Sequence, residues 1–285
     1  MLRTNQLPAW FPHRVKVFVR QITNRLNYGR IVRHSINGIL YELDLSERID
    51  SALYNGDYED STTRALEHLI RPDMVAFDIG ANMGAHTLEI ARHLSAGSVH
   101  AFEPTGFAFN KLQNNVRLNR FENIFLNHIA LSDVIEEKQI VFSSTADTLP
   151  FNASWDIRKV RSSDGKFRSG SKLANKAEIL KFETMDSYVA RVRLDRLDFI
   201  KIDVDGYEMK VVAGGRETIE RFRPILILEL SRRSLLRVGA RLEDLVSFFL
   251  DRGYSFHDID TDAKQTREAL LNHNMKRSKD FLLQP

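Results

Sequence analysis

Val75-Ala76-Phe77-Asp78-Ile79-Gly80-Ala81-Asn82-Met83-Gly84 reads as a short buried strand that runs into a glycine turn and then a helix. The apolar run from Met74 to Phe77 follows a Pro72-Asp73 turn, and Leu88, Ala91 and Leu94 then recur at helical spacing. Gly80 and Gly84 can adopt backbone angles closed to other residues, and they let a ligand approach the main chain. The helix start beyond them offers free N–H groups and a positive dipole end, suited to a carboxylate or a phosphate.

The totals frame this turn. At 285 residues the chain fits one α/β domain with extensions. It is 43% apolar and 28% charged, with no cysteine. That composition excludes disulfides, cysteine–zinc sites and cysteine nucleophiles, and it fits a reducing, cytoplasmic setting. No apolar run approaches the roughly 20 residues that span a bilayer. A net charge of +3 is too small to argue for nucleic-acid binding by itself. The basic charge is concentrated at the start, where Arg3, Arg14, Lys16, Arg20, Arg25, Arg30 and Arg33 precede the first acid, Glu42. Trp10, Phe11, Phe18, Ile22 and Leu26 are interleaved with them. Two readings follow: a helix resting peripherally on an anionic membrane, or an extension packed on its own domain or on a second copy in a homo-oligomer. Charges interrupt every candidate core of a secretory signal.

Taken in order, residues 1–57 form a basic extension ending in a hairpin, and residues 58–285 form the main domain. Asn37-Gly38 supplies the hairpin turn, and Ile39, Tyr41, Leu43 and Leu45 alternate as in a half-buried strand. A helix carrying Ala65, Leu66 and Leu69 leads to the opening stretch. Strand Ser98 to Phe102, a helix from Thr105 to Arg120, and strand Asn123 to Leu126 continue a β-α-β-α-β pattern, which marks a parallel sheet with helices on its faces. Gln139 to Phe142 reads as an added strand. Residues 143–181 read as a long polar insertion in loop form, which points to acceptor recognition or disorder. Asn152-Ala153-Ser154 within it matches a glycosylation acceptor, a pattern frequent by chance. Strands resume at Leu197 to Asp203 and Pro224 to Leu230. A break at Gly214-Gly215 divides the helix between them. A helix ends at Gly253, and Tyr254 to Ile259 and Phe281 to Gln284 read as the last strands.

The glycine turn departs from the G-x-G-x-x-G spacing of dinucleotide sites. Asp78 stands directly before it, where a carboxylate would repel a pyrophosphate and suit an ammonium group. Glu103, closing the next strand, can accept hydrogen bonds from ribose hydroxyls. The implied ligand has a ribose, a cation and no essential phosphate, which is the profile of S-adenosyl-L-methionine. Asp78, Gly80, Asn82, Gly84 and Glu103 are the expected cofactor-binding residues, joined by Glu59 as an acid that could close over the site and by Asp203.

These residues resemble the FkbM family of class I S-adenosylmethionine-dependent methyltransferases. The resemblance rests on Phe77-Asp78-Ile79-Gly80-Ala81-Asn82-Met83-Gly84, Phe102-Glu103-Pro104, Asn127-His128-Ile129-Ala130-Leu131-Ser132-Asp133, Thr184-Met185-Asp186 and Phe199-Ile200-Lys201-Ile202-Asp203-Val204-Asp205-Gly206-Tyr207-Glu208. The first two blocks are widespread among methyltransferases, and the last is the most specific. The family commonly has Glu where this chain has Asp205. The resemblance implies a Rossmann-like, seven-stranded, mostly parallel sheet with helices on both faces and its last strand antiparallel. It also implies O-methylation of hydroxyls, frequently on sugars.

Methyl transfer to a hydroxyl needs the acceptor oxygen held about 3–3.5 Å from the methyl carbon and a base for its proton. Asp203, Asp205 and Glu208, at or beyond the end of the fourth core strand, are the expected catalytic residues, with Asp205 slightly ahead. Each also has a structural use, the aspartates as helix caps and Glu208 as a first-turn acid. His128 is read as structural. Asp203, Asp205 and Glu229 could surround a Mg²⁺ ion, but no spacing demands a metal and none is expected. The expected partner is a small-molecule or glycan acceptor, not nucleic acid, because the Asn/Asp-Pro-Pro-aromatic sequence of amino-group methylation is missing. The alternatives are an RNA or DNA methyltransferase and a catalytically silent binding protein of the same fold.

Overall fold

A computed structural model of the chain describes residues 29–144, 174–272 and 278–285. The basic amphipathic pattern before Gly29 and the 145–173 part of the polar insertion, with Asn152, lie outside the described residues. Among the described residues no helix is long and apolar enough to cross a membrane. The chain divides into two compact units, one of residues 1–60 and 140–178 and one of residues 61–139 and 179–285.

In the first unit, strands β1 (Ile31–Ile36) and β2 (Ile39–Asp44) form the expected antiparallel hairpin. Asn37 and Gly38 make its turn at φ +50° and +83°, the backbone a two-residue loop needs to match strand twist. Ile39, Tyr41 and Leu43 are buried. Helix α1 (Arg48–Asn55) follows, and the sequence reading did not foresee it. It is anchored by Asp50, whose Oδ2 accepts the Asp44 N–H at 2.7 Å, and it stops at left-handed Gly56. Helix α2 (Asp60–Leu69) then leads into the second unit.

The second unit is built on a seven-stranded sheet. Its strands are β3 (Val75–Ile79), β4 (Ser98–Phe102), β5 (Ile124–Asn127), β9 (Phe199–Ile202), β10 (Ile225–Leu230), β11 (Ser255–Asp258) and β12 (Lys279–Gln284). The order across the sheet is β11-β12-β10-β9-β3-β4-β5. All neighbours are parallel except β12, which is antiparallel to both β10 and β11. This is the seven-stranded α/β sheet, with its last strand antiparallel, that the resemblance implied. The central strands are apolar on both sides, as parallel strands covered by helices must be. Phe77, Ile79, Ile200, Ile202, Leu226 and Leu228 pack into one core, and Ala76, Phe199 and Ile227 into the other.

The connecting helices are α3 (Ala85–His93), α4 (Gly106–Asn119), α5 (Met185–Val192), α6 (Glu208–Ala213), α7 (Arg216–Phe222), α8 (Arg232–Arg237), α9 (Leu242–Leu250) and α10 (Arg267–Asn272). Gly214 and Gly215 separate α6 from α7 as expected, and a side chain at Gly214 would meet the Ser132 carbonyl oxygen at 1.9 Å. A three-stranded sheet adds β6 (Ala130–Leu131), β7 (Glu136–Ser144) and β8 (Ala174–Glu183), with β8 in the middle. The polar insertion expected to be loop over 143–181 therefore begins and ends in strand. Backbone pairing outweighs polar composition there, since β8 buries Leu180 while leaving Ile179 exposed.

Candidate active site

The chain runs outward from β3 through β4 to β5, then returns to the other side of β3 with β9. Such a reversal opens a crevice beyond the carboxyl ends of the two strands. The two segments that flank it are Asp78–Gly84, from the end of β3 onward, and Asp203–Glu208, after β9.

The glycine turn is held from several sides. Gly80 and Ala81 both donate their N–H groups to the Phe102 carbonyl at 3.0 Å. Gly80 (φ +88°), Asn82 (φ +49°) and Gly84 (φ +94°) are left-handed. A Cβ on Gly80 would lie 1.9 Å from the Asp203 carbonyl oxygen, and one on Gly84 would lie 2.6 Å from Leu112 Cδ1. The glycines were expected to admit a ligand to the main chain. What they admit in the structure is protein: the end of β9 and the side of α4.

Glu103 is buried and braces the turn. Its Oε2 accepts the Asn82 N–H at 3.0 Å, and its Oε1 accepts the Thr105 N–H at 2.9 Å and the Thr105 hydroxyl at 2.6 Å. Burial raises its carboxyl above the usual range, against the pull of these donors. With one donor on Oε2, that atom keeps an acceptor direction for a further hydroxyl.

Side chains alternate along a strand, so Asp78 shares the face of Ala76, and Lys201 that of Phe199. The parallel register sets Asp78 opposite Lys201. Asp78 is 1% exposed, and its Oδ2 accepts the Thr87 hydroxyl at 2.5 Å. Its Oδ1 is buried with no hydrogen-bond partner. Lys201, 2% exposed, reaches Asp203 Oδ2 at 3.0 Å. His86, on the first turn of α3, senses Lys201, Asp78 and Asp203, and burial lowers its pKa to about 3, so its ring is neutral. Burial pushes Asp203 up, but the adjacent Lys201 ammonium holds its carboxyl below the usual range.

Beyond β9 the chain makes a tight turn through Asp205 (φ +53°) and Gly206 (φ +112°) into α6. Glu208, the first residue of α6, is 1% exposed. Its Oε1 accepts the N–H groups of Gly206 at 2.9 Å and Val204 at 3.3 Å, and its Oε2 is buried without a partner. Burial raises this carboxyl to about 7. Glu229, at the end of β10, is raised to about 9 by burial and by the Asp203 charge.

The structure thus gathers Asp78, Gly80, Asn82, Gly84 and Glu103 on one flank of the crevice and Asp203, Asp205 and Glu208 on the other. Glu59, at φ +40°, belongs to the first unit. His128 is stacked on Phe109 with ring centroids 4.4 Å apart. Among the described residues, no group of three or more His, Cys, Asp and Glu is arranged to hold a metal ion. Thr87, His86 and Lys201 were not singled out from sequence as site residues. Lys201 carried the plainest signal, a cation inside a strand that is otherwise apolar on both faces.

Comparison with known proteins bears directly on this crevice. Residues 78–256 match the family of the methyltransferase FkbM domain, a span that takes in both flanks. The chain is 30% identical over 167 residues to the AMB antimetabolite synthetase AmbE of Pseudomonas aeruginosa, covering 51% of this chain and only 8% of that protein. It is 26% identical over 194 residues to the 2-O-methyltransferase NoeI of Sinorhizobium fredii, covering 64% of this chain and 75% of that one. A solved methyltransferase FkbM from Methylobacillus flagellatus KT aligns at 14% identity with a TM-score of 0.43, over 94% of this chain and 60% of the other. The family match extends over more than half of the sequence and includes the glycine turn, Glu103 and the Asp203–Glu208 turn, so the chain belongs to the FkbM family of S-adenosylmethionine-dependent methyltransferases.

Proposed function

We propose that this chain transfers a methyl group from S-adenosylmethionine to a hydroxyl of a sugar or glycan. The observation that carries the hydroxyl assignment is Glu208: a buried carboxylate with one oxygen fixed by two N–H groups and the other without a partner. Such an oxygen is a ready acceptor for the proton of a neutral attacking group, and a pKa near 7 suits a general base at neutral pH. The relation to a protein named a 2-O-methyltransferase supports the same reading.

The residues present fit the cofactor. The unpartnered Oδ1 of Asp78 suits an ammonium group, and Glu103 Oε2 keeps room to accept a ribose hydroxyl. Asp78 and Asp203 outweigh the single charge of Lys201 while His86 is neutral, so the cluster favours a cationic ligand. When bound, S-adenosylmethionine supplies an electrophilic methyl group on a positively charged sulfur. Asp78 and Glu103 then act as holding residues. Glu208 would accept the proton of the acceptor hydroxyl on Oε2. Asp205, on the rim of the same turn, is left to position the acceptor. Glu208 thus stands ahead of Asp205 as the base, because it is the buried member of the pair.

The direct test is a radiolabelled methyl-transfer screen over mono- and oligosaccharides, with RNA and DNA as parallel acceptors. Label on sugar hydroxyls is expected. Label confined to nucleic acid would replace this reading with the nucleic-acid one, and binding of S-adenosylmethionine without transfer to any acceptor class would favour a silent binding protein.

A further inference from the structure

The ends of β9 and β10 bring two carboxyl groups together. Leu228 pairs with Ile202, so Glu229 and Asp203, one residue further along each strand, are neighbours. The parallel register turns both side chains to the same face of the sheet. Two ionised carboxylates have acceptors only, so side by side they repel, and they can bond to each other once one of them carries a proton. The surroundings decide which. Lys201 Nζ lies 3.0 Å from Asp203 Oδ2 and is itself buried, which fixes the negative charge on Asp203.

The groups facing Glu229 are of the opposite kind. Asp205 and Glu208 lie close enough to disfavour its ionised form. Across the antiparallel ladder it is paired with Asp280 of β12, whose Oδ2 accepts the Thr62 hydroxyl at 2.6 Å. Lys279, beside Asp280, commits its ammonium to Asp258 at 2.5 Å and Asp260 at 3.6 Å. His86, on α3, is neutral. Ser278 pulls the other way and favours the ionised form, but burial and the Asp203 charge outweigh it. An ionised Glu229 would be one more negative charge in a half-buried cluster that already holds several.

We propose that Glu229 is a neutral carboxylic acid that donates its O–H to Asp203, as a positioning residue that keeps this carboxylate in place behind the glycine turn. The benefit to catalysis rests on the methyltransferase reading above, whereas the shared proton does not. Asp203 is the residue whose main chain touches Gly80. Holding its side chain from two sides, by Lys201 and by Glu229, keeps the two flanks of the crevice in register.

The test needs neither cofactor nor acceptor. In the full chain at pH 7, infrared difference spectra should contain the C=O stretch of a protonated carboxyl group that is absent from Glu229→Gln. The amide of that variant still donates to Asp203, so it should fold. Its folding equilibrium, measured by urea titration, should gain on the parent by roughly tenfold per pH unit between pH 5 and 9. The reason is that the parent's native state retains a proton that its unfolded state has released. Above pH 9 the gain should level off. A ratio of the two equilibria that is flat with pH, or a parent spectrum without the protonated carboxyl band, overturns the proposal. Should the variant fail to fold, the band in the parent, lost as pH rises past 9, still decides it. Failure of methyl transfer in the screen above would leave both readouts untouched.

Discussion

Thr87 Oγ1 lies 2.5 Å from Asp78 Oδ2, joining the first turn of α3 to the end of β3. The hydroxyl occupies one carboxylate oxygen and leaves the other buried without a hydrogen-bond partner, the atom proposed above to meet the cofactor's ammonium group. Asp78→Ala should therefore weaken binding of S-adenosylmethionine by about 10- to 150-fold, the usual cost of a hydrogen bond to a charged group. Thr87→Val should weaken it less, through loss of orientation. Titration calorimetry on the parent and both variants measures this, and equal affinities for all three would remove Asp78 from the cofactor site.

Glu208→Gln should lower turnover by about 10²- to 10⁴-fold while leaving cofactor affinity within a few-fold of the parent. A base must be ionised to act, and burial holds this carboxyl at about 7. The parent's rate should thus fall as pH drops below 7. The matching measurement is initial methyl-transfer rate against pH, with cofactor affinity followed in parallel. A Glu208→Gln enzyme that keeps its turnover would pass the role to Asp205.

Gly80→Ala should be costly and Gly38→Ala mild, although both glycines have positive φ. At Gly80 the new methyl would strike the Asp203 carbonyl oxygen at 1.9 Å, whereas at Gly38 nothing lies within 4 Å. Backbone strain alone costs about 1–2 kcal/mol, and overpacking adds about 1–3 kcal/mol. Thermal melts should place Gly80→Ala roughly 5–15 °C below the parent, with Gly38→Ala within a few degrees of it.

The two buried histidines set an acid limit on stability. Burial lowers His86 to about 3 and His100 to about 4, and His100 Nδ1 is 2.7 Å from the Tyr188 hydroxyl. Between pH 6.5 and these values the unfolded chain takes up protons that the native state refuses, so stability falls as pH drops. Glu208 and Glu229 work in the opposite direction above about 4.5, since native carboxyls there hold protons that the unfolded chain has lost. The contributions oppose each other near pH 5–6, and the acids alone remain above 6.5. His100→Gln should accordingly be less sensitive to acid than the parent between pH 6 and 4. Urea titrations at these pH values give the comparison, and parallel curves for the two proteins would refute it.

The frame was legible because parallel strands write themselves plainly. Val75 to Ile79, Phe199 to Ile202 and Ile225 to Leu230 are apolar on both faces, and their carboxylates stand where the strands end. The hairpin was equally plain, since Asn37-Gly38 takes the backbone that only such residues take without strain. Short elements were not legible. α1, α8 and α10 have eight residues or fewer, too few for a periodic pattern to rise above chance. β8 was hidden by its Lys, Glu and Asn residues. The meaning of the glycines was only half legible. Their freedom could be read from sequence, but what fills the space at Gly80 is Asp203, far away in the chain. Glu229 posed a similar problem: its position was visible, yet its proton depends on neighbours from β9, α6 and β12.

The antiparallel β12 has a consequence for the order in which the protein can be made. Among the described residues β11 is bonded to the main sheet through β12 alone, so it leaves the ribosome before its template exists. The ladder from β5 to β10, which carries both flanks of the crevice, can assemble during synthesis. Until β12 arrives, β10 presents the apolar edge Ile225–Leu230 to the surroundings, a hazard for sticking to other nascent chains. β12 therefore joins β11 to the sheet and seals that edge in one event.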